Sequence, residues 1–392
     1  MRNLIKTMMI GLFAATPAFS GGWEASRLDT SMMYNDDGYA EVGTSYITYD
    51  INGTTQAPAS ATHKMAKNQS RTAFGVKTEL LGAFDIGLSS YRSGAIQLDG
   101  QATAAQPNCT AVNKALLNFT QCSVVPSADV EVNSLALMGR YRINDNMSVI
   151  GGLNRYDVSN ATVTTMVSHF VVSGDQIAPV VGAAYENKEI ALRVELLMQA
   201  ETDVPLTVGS SIASAVPTVT VPNAKMVLPQ TITLNFQSGI AEDTLLFGSV
   251  HKADWDTAQI TIPDIANGFN PITLNNSQAV NGVSSSFSTK TAYSVGVGRK
   301  ISDNFSALGS YSTEAGGGAT SADPFTLTDG SQTLGLGVRY TTGNMTISGG
   351  YSYTKVGDVT VTFPMPGGHP SMTAAYANNK VTGLGLKIGF TF

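Results

Sequence analysis

The last ten residues of the chain alternate strictly between apolar and small or polar side chains. One face carries Leu384, Leu386, Ile388, Phe390 and Phe392, and the other carries Gly383, Gly385, Lys387, Gly389 and Thr391. A period of two residues is the pattern of a β-strand. An apolar face opposite a small or polar face predicts a strand that lies between lipid and a water-filled lumen.

The composition narrows the architecture to which such a strand can belong. Charged residues make up 13% of the 392 residues, which is about half the usual globular share. Beyond Gly21 no apolar run approaches the roughly 20 residues of a transmembrane helix, so a membrane-inserted chain would have to close into a β-barrel. The formal charge of −6, without a basic cluster, gives no reason to expect a nucleic-acid partner.

Residues 1–20 are predicted to be a signal peptide. Arg2 and Lys6 give the start a positive charge, and the run 8–15 is apolar. Small residues flank the position before Gly21, where cleavage is expected. An uncleaved anchor is the alternative, but the run 8–15 is too short to span a bilayer, which takes about 20 residues.

Similar alternating segments come in pairs along the chain, each pair joined by a short turn rich in Asn, Asp and Gly. Long connections separate the pairs, as in outer-membrane barrels with tight periplasmic turns and long external loops. The predicted strands are 39–51, 71–81, 84–91, 131–142, 147–156, 177–185, 189–198, 231–240, 244–253, 291–301, 305–313, 333–341, 345–355 and 383–392. They predict an all-β fold, an antiparallel transmembrane β-barrel of about 14 strands over residues 39–392. A soluble β-sandwich or propeller is the alternative, although neither needs alternating short and long connections.

Residues 21–38 precede the first predicted strand and are too few to form a domain. They are predicted to fold into the barrel as a plug segment, and a disordered periplasmic tail is the alternative. At the other end of the chain, the terminal aromatic Phe392 resembles the assembly signal of bacterial outer-membrane proteins. The barrel assembly machinery is therefore an expected partner.

One stretch of the chain, residues 228–255, reads LPQTITLNFQSGIAEDTLLFGSVHKADW. Its Pro-Gln opening, Gly-Ile-Ala turn, Leu-Phe-Gly-Ser strand and following Trp resemble the FadL/TodX family of hydrophobic-compound channels. The segments AYSVGVGRKISDNFSALGSYS at 292–312 and GLGLKIGFTF at the C-terminus are also similar to that family. The resemblance covers most of the chain by layout and these segments in detail.

This resemblance implies passive uptake of long-chain fatty acids or other hydrophobic compounds across the bacterial outer membrane. It also implies an N-terminal plug, external loops that offer an apolar groove, and a wall opening that passes ligand sideways into the membrane. The expected partners are a hydrophobic small molecule or fatty acid, together with outer-membrane lipid and lipopolysaccharide. Residues 21–38 depart from better-known members because they lack an Asn-Pro-Ala segment.

A small set of residues is predicted to contact ligand. They are Trp23, Met32, Met33 and Tyr34 in the plug segment, Leu206, Val208 and Ile212 in an external stretch, and Arg193 and Arg339 on predicted lumen faces. Residues 177–179 and 204–227 are unusually apolar for connections, and a lumen guanidinium could hold a carboxylate. The alternatives are that the apolar residues pack over the barrel mouth and that the basic residues form salt bridges.

No catalytic residue, cofactor or metal site is predicted. The four histidines are scattered without metal-ligand spacing, and no Gly-x-Ser-x-Gly elbow is present. Cys109 and Cys122 lie in one polar stretch, and export to an oxidising compartment predicts a disulfide between them. A general diffusion porin for small polar solutes is the main alternative function, and an outer-membrane acyl hydrolase is a further one.

Overall fold

The computed structural model describes residues 22–35, 37–56, 59–62, 64–100, 125–165, 169–211, 219–263, 282–318, 320–321, 323, 325–363 and 371–392. The predicted signal peptide and the predicted disulfide between Cys109 and Cys122 lie outside these residues and stay predictions. No helix in the described part of the chain is both long and apolar enough to cross a membrane.

Fourteen antiparallel strands form a closed barrel within the described residues, as the sequence predicts. They are β1 (Tyr39–Asp50), β2 (Gln69–Leu81), β3 (Phe84–Leu98), β4 (Ser127–Arg142), β5 (Met147–Thr164), β6 (His169–Asn187), β7 (Leu192–Gln199), β8 (Thr231–Ala241), β9 (Thr244–Ala253), β10 (Lys290–Lys300), β11 (Phe305–Glu314), β12 (Ser331–Thr342), β13 (Met345–Val356) and β14 (Lys380–Thr391). Each strand pairs with the next one along the chain. The last strand, β14, returns to β1, with Tyr39 opposite Thr391 and Asp50 opposite Lys380.

The outer surface of the barrel is apolar because successive residues of a strand point to opposite faces of the sheet. On β14, Leu384 and Phe390 are 61% and 50% exposed, whereas Val381 and Lys387 point inward and are buried. Exposed aromatic residues ring the end with the short turns: Tyr141, Tyr185, Phe305, Tyr340, Phe390 and Phe392. An apolar band with an aromatic girdle is the exterior of a protein that spans a bacterial outer membrane.

Strands β3 to β6 extend further from the short turns than the sequence predicts. Residues 92–98, 127–130, 157–164 and 169–176 are predicted as connections and instead continue these strands. Outward residues are polar at this level, where Arg155 pairs with Asp157 at 3.1 Å and with Asp175 at 3.3 Å. The apolar alternation that marks a lipid-facing strand is therefore absent there. Residues 177–179, which begin the predicted strand 177–185 and were also considered as apolar loop residues, lie in β6.

The long connections fold over the far end of the barrel into an external cap. One sheet of the cap contains Thr202–Pro205, Lys225–Leu228, Ile260–Ile262 and Val283–Ser284, and another contains Gly53–Gln56, Ala59–Ala61, Thr320–Ser321, Val359–Phe363 and Met372–Tyr376. Two further strands, Thr207–Ser211 and Val219–Val221, extend the barrel sheet beside the upper half of β6. Buried apolar residues of the cap and of the upper lumen form one continuous cluster.

Candidate functional site

The described residues of 22–38, which are 22–35 and 37–38, run through the inside of the barrel; residues 22–38 are called here the N-terminal segment. Their backbone follows the edge of β3, where Ala25 N donates to Ser93 O at 2.8 Å and Ala95 N donates to Trp23 O at 2.9 Å. A short 3-10 helix, Ser31–Tyr34, lies lower in the lumen. Trp23, Met33 and Tyr34 are all buried. This segment therefore occupies part of the lumen along β2 to β7.

Two glycines of β3 make room for the N-terminal segment. A Cβ atom at Gly94 would collide with the Trp23 ring, and one at Gly87 would collide with the Met33 sulfur. A glycine in the middle of a strand often marks a close approach of another part of the chain. The N-terminal segment therefore packs closely against β3 at two positions along that strand.

The lower part of the N-terminal segment is held by a cluster around Tyr34. The ring of Tyr34 lies between two guanidinium groups, 4.3 Å from Arg140 and 4.2 Å from Arg193. Its hydroxyl donates to Glu195, a carboxylate that also accepts from Thr30 Oγ1 at 2.7 Å. Cation–π contacts of this kind contribute more when they are removed from water. We call this group the Tyr34 clamp.

A buried ion pair ties the end of the N-terminal segment to the barrel wall. Lys77 Nζ lies 2.9 Å from Asp85 Oδ1, and neither side chain is exposed to solvent. The same ammonium donates to Asn35 O at 2.8 Å. Arg142 Nη1 completes the group at 2.8 Å from Asp85 Oδ2. Every charge in this network therefore has an opposite charge or a carbonyl beside it.

Aromatic and charged residues surround the upper end of the N-terminal segment. Trp23 packs edge-on against Trp255 with ring centroids 5.3 Å apart. Beside them, Glu24 pairs with Arg27 at 3.0 Å and with His251 at 3.3 Å. A cavity of about 60 Å³ separates these groups from Tyr91, Tyr156, Gln199 and Thr233.

The Glu24 carboxylate makes the stability of the upper end of the N-terminal segment depend on pH. Burial alone would raise its pKa, but the charge of His251 when its imidazole is protonated, the charge of Arg27 and hydrogen bonds from both residues outweigh burial and hold the pKa well below its usual range. A lowered folded-state pKa means that the ion pair stabilises the protein at neutral pH. That contribution is lost as the pH falls through the folded-state pKa.

The substitution Glu24→Gln should lower the free energy of unfolding by roughly 1–3 kcal/mol at pH 7, since a charged hydrogen-bond acceptor is lost. The difference from the unaltered protein should shrink as the pH falls below about 4. Denaturant unfolding in detergent between pH 7 and pH 3 measures both effects. Glu242→Gln, in an exposed turn, is the matched control. A difference that stays constant with pH would contradict the assignment.

A cavity of about 390 Å³, called here the main cavity, lies between the N-terminal segment and the opposite half of the barrel. Most of the side chains that the strands of that half present to it are small and uncharged. They include Gly43, Ser45, Ser249, Ala292, Ser294, Ser310, Ser312, Gly335, Gly337, Ser348, Gly350, Ser352, Gly383 and Gly385. The space exists because these positions lack large side chains, whereas β2 to β7 contact the N-terminal segment.

The barrel wall is interrupted beside the main cavity. Pairing between β2 and β3 ends at Phe74 and Ser90, and the next contact across this boundary is the bridge between Ala66 and Leu98. Beside this bridge Lys67 N donates to Gln97 O at 3.1 Å. Between these points residues 68–73 face residues 91–96 without a ladder joining the two strands, and we call this gap the wall window. The inner side of the window opens into the main cavity.

One arginine spans the wall window. Arg92 Nη1 donates to Ser70 O on the opposite edge at 3.2 Å. Its Nη2 lies 2.6 Å from Glu131 Oε2. The small lumen-facing residue at this height of β2 is Ala73, which is exposed. The Arg92 guanidinium therefore borders the opening, whereas the exposed side chains just below it on β2, Phe74 and Val76, are apolar.

The predicted ligand contacts separate into three groups. Trp23, Met32, Met33, Tyr34, Arg193 and Arg339 all face the lumen, and of these Met32, Arg193 and Arg339 line the main cavity. Leu206 and Val208 are buried in the external cap and line neither cavity in the described part of the chain. Ile212 lies outside the described residues. Ligand binding by these residues stays a prediction.

Several residues of the site are absent from the sequence-based prediction. Glu24, Arg71, Arg92, Arg140 and His251 contact the N-terminal segment or border the wall window. Gly87, inside the predicted strand 84–91, is a local signal that could have indicated a close approach, whereas Gly94 falls in a predicted connection. In the part of the chain that the structure describes, no group of His, Cys, Asp and Glu could hold a metal ion.

No family model and no curated protein matches this sequence. Solved structures do match. A FadL homologue from Pseudomonas aeruginosa is 13% identical, with 92% of each chain covered and a TM-score of 0.67. The toluene transporter TbuX from Ralstonia pickettii is 10% identical, with 98% of this chain and 99% of that chain covered and a TM-score of 0.60. The toluene transporter TodX from Pseudomonas putida is 10% identical, with 96% and 99% covered and a TM-score of 0.59.

These likenesses extend over nearly the whole of each chain, so they concern the complete barrel and not one hairpin. The fold that the segment 228–255 led us to expect is confirmed. The chain has the fold of the FadL, TodX and TbuX proteins, a closed fourteen-stranded β-barrel.

Proposed function

We propose that this protein is a passive outer-membrane channel for hydrophobic compounds, a class that includes long-chain fatty acids. The observation that carries the proposal is the main cavity, which lies beside a window in the barrel wall just above the exposed Phe74. The names of the similar structures, two of them toluene transporters, support the same class of ligand. The route runs from the external cap through the main cavity and leaves sideways through the wall window.

A sideways exit suits an apolar solute for a physical reason. Each methylene group removed from water gains about 0.8 kcal/mol, so lipid attracts the solute more strongly than the periplasm does. The passage needs only to offer modest binding between the external surface and the lipid. The main cavity combines many glycine and serine residues with a few apolar side chains such as Ile47, Phe247 and Leu308, so it can bind an apolar solute and still release it.

The rival is a general diffusion porin, which needs an aqueous path through the whole barrel. Here the N-terminal segment fills the lumen along β2 to β7 and is anchored at both ends. Liposomes that contain the protein should therefore swell slowly in small sugars. Rapid swelling would favour the porin.

Uptake measurements test the proposal directly. Cells that carry the gene should take up at least one labelled hydrophobic compound, from a set that includes toluene and oleate, faster than cells without it, while small sugars should enter both at the same rate. The comparison needs several hydrophobic substrates, because the preferred one is unidentified. Equal uptake of all of them by both strains would refute the proposed function.

Narrowing the wall window should slow uptake several-fold. In Ala73→Trp an indole would project from β2 towards the window, where it obstructs the exit. Initial uptake rates of the labelled substrate measure the effect. Ala307→Trp, which places the same side chain on the lipid face of β11, is the matched control. If both variants transport at the unaltered rate, the wall window is not the exit.

A further inference from the structure

The basic side chains around the main cavity are already engaged. The cavity is lined by Arg27, Arg71, Arg92, Arg193, Arg339 and Lys387. A carboxylate that enters the cavity could be held only by a cation whose donors are available, because charge-assisted hydrogen bonds need direct contact. The partners of each cation therefore decide whether the cavity can accept an anion.

Two of these cations lie on the floor of the cavity. Lys387 Nζ is 3.1 Å from Glu41 Oε2 and 3.8 Å from Asp29 Oδ2. Arg339 donates to Ser348 Oγ at 3.3 Å and is attracted electrostatically by Glu41. Both cations are thus balanced by carboxylates that belong to the protein.

Arg71 holds the N-terminal segment beside the wall window. It is buried, and its guanidinium donates to Ala25 O and to Tyr49 Oη. Two of its nitrogens also donate to Gln69 Oε1, at 3.1 and 2.7 Å. An anion could reach this arginine only by breaking contacts that anchor the N-terminal segment.

The remaining cations are engaged in the same way. Arg27 pairs with Glu24, and Arg92 pairs with Glu131. Arg193 lies over the Tyr34 ring within the Tyr34 clamp. Each of the six cations therefore has an acidic, carbonyl, amide, hydroxyl or aromatic partner within the protein.

The other groups that face the cavity disfavour an anion. Its lining contains the acidic residues Asp29, Glu41, Glu195 and Glu314. The wall between β10 and β14 otherwise consists mainly of glycine, serine and alanine, which carry no charge. A carboxylate would lose hydration on entering and, among the lining residues that the structure describes, would find no cation without a partner in the protein, which is costly. An uncharged molecule of the same size avoids this cost.

We propose that the passage accepts uncharged hydrophobic molecules and rejects carboxylates of the same chain length. This inference rests on the proposed function and narrows its substrate class. Long-chain fatty acids would then cross in their protonated form, and neutral alkyl or aromatic compounds would be the preferred cargo.

Decanamide and decanoate form a matched pair of probes, since they have the same number of carbons and nearly the same shape but differ in charge at pH 8. The measured quantity is the gene-dependent initial uptake, which is the rate in cells with the gene minus the rate in cells without it. Decanamide uptake should exceed decanoate uptake at least about tenfold, which corresponds to about 1.4 kcal/mol of discrimination. Toluene, a third uncharged probe, should behave like decanamide.

The outcomes separate the two proposals. Equal gene-dependent uptake of decanamide and decanoate would overturn the charge selectivity and leave the channel function intact. If none of the three probes shows gene-dependent uptake, the channel function fails and the inference fails with it. Faster uptake of decanoate would also overturn the inference.

Removing the carboxylate partner of a lining cation should weaken the selectivity against carboxylates. Glu41→Gln removes the carboxylate 3.1 Å from Lys387 Nζ and should raise decanoate uptake relative to decanamide several-fold. Ser312→Lys, which adds a cation to the uncharged wall, should act in the same direction if the first variant does not fold. Glu242→Gln, in an exposed turn, is the control. An unchanged ratio in a folded variant would overturn the inference.

Discussion

Deletion of residues 22–38 should raise the ion conductance of the protein in planar bilayers roughly tenfold. Barrels of about 8 strands are filled by their own side chains and barrels of 16 or more enclose an aqueous channel, so a lumen of intermediate size needs additional filling to stay closed. The N-terminal segment provides that filling through Trp23, Met33 and Tyr34, all of which are buried. Without it, water would connect the main cavity to the periplasmic end.

Two controls make this deletion informative. Heat-dependent migration of the barrel in detergent gels shows whether the shortened protein still folds. The paired substitution Thr30→Val and Tyr34→Phe removes only hydrogen bonds to Glu195 and should produce brief openings instead of a permanent pore. A folded deletion variant with the conductance of the full protein would show that residues 22–38 do not close the passage.

The second large effect is expected at the buried ion pair of Lys77 and Asp85. Lys77→Met should reduce the free energy of unfolding by about 3 kcal/mol, because it leaves a buried carboxylate without one of its two cations. It also removes the hydrogen bond to Asn35 O, so the end of the N-terminal segment should exchange its amide hydrogens faster. Denaturant unfolding and hydrogen exchange measure the two results.

A double substitution separates the ion pair from simple loss of packing. The cost of Lys77→Met together with Asp85→Leu should be smaller than the sum of the two single costs, since no carboxylate is then left unpaired. Lys300→Gln is the matched surface control: its partner Asp303 is exposed, and little measurable change is expected. Additive costs at Lys77 and Asp85 would argue against a coupled pair.

The barrel itself could be predicted from the sequence because its rule is local. Each residue of β14 lies either in lipid or in the lumen, so polarity follows a period of two that can be read along ten residues. The same reasoning underestimated β5 and β6, since their upper parts project beyond the lipid. There Arg155 and Asp175 face outward, and the alternation that marks a membrane strand disappears.

The site could be predicted only in part because it depends on contacts between distant residues. Trp23 and Tyr34 were expected to face ligand because they lie in a short segment ahead of the barrel, and the structure places them in the lumen. Arg92 bonds to Ser70 only because the ladder between β2 and β3 stops, and a sequence gives no sign of where a ladder stops. Leu206 was predicted to line a ligand groove, but in the structure it packs against other apolar side chains of the external cap.

The bonds from the N-terminal segment to β3 have a consequence for the wall itself. Lipid offers no hydrogen-bonding partners, so a strand edge exposed to it is strongly unfavourable. At the height of the wall window β2 makes no backbone hydrogen bonds to the edge of β3. The backbone of Trp23 and Ala25 makes them instead. The segment is thus an internal substitute for a missing neighbour strand. If a ligand displaces the segment, the backbone groups of β3 lose these partners and must bond to water instead. Opening of the exit should therefore occur together with entry of water into the gap.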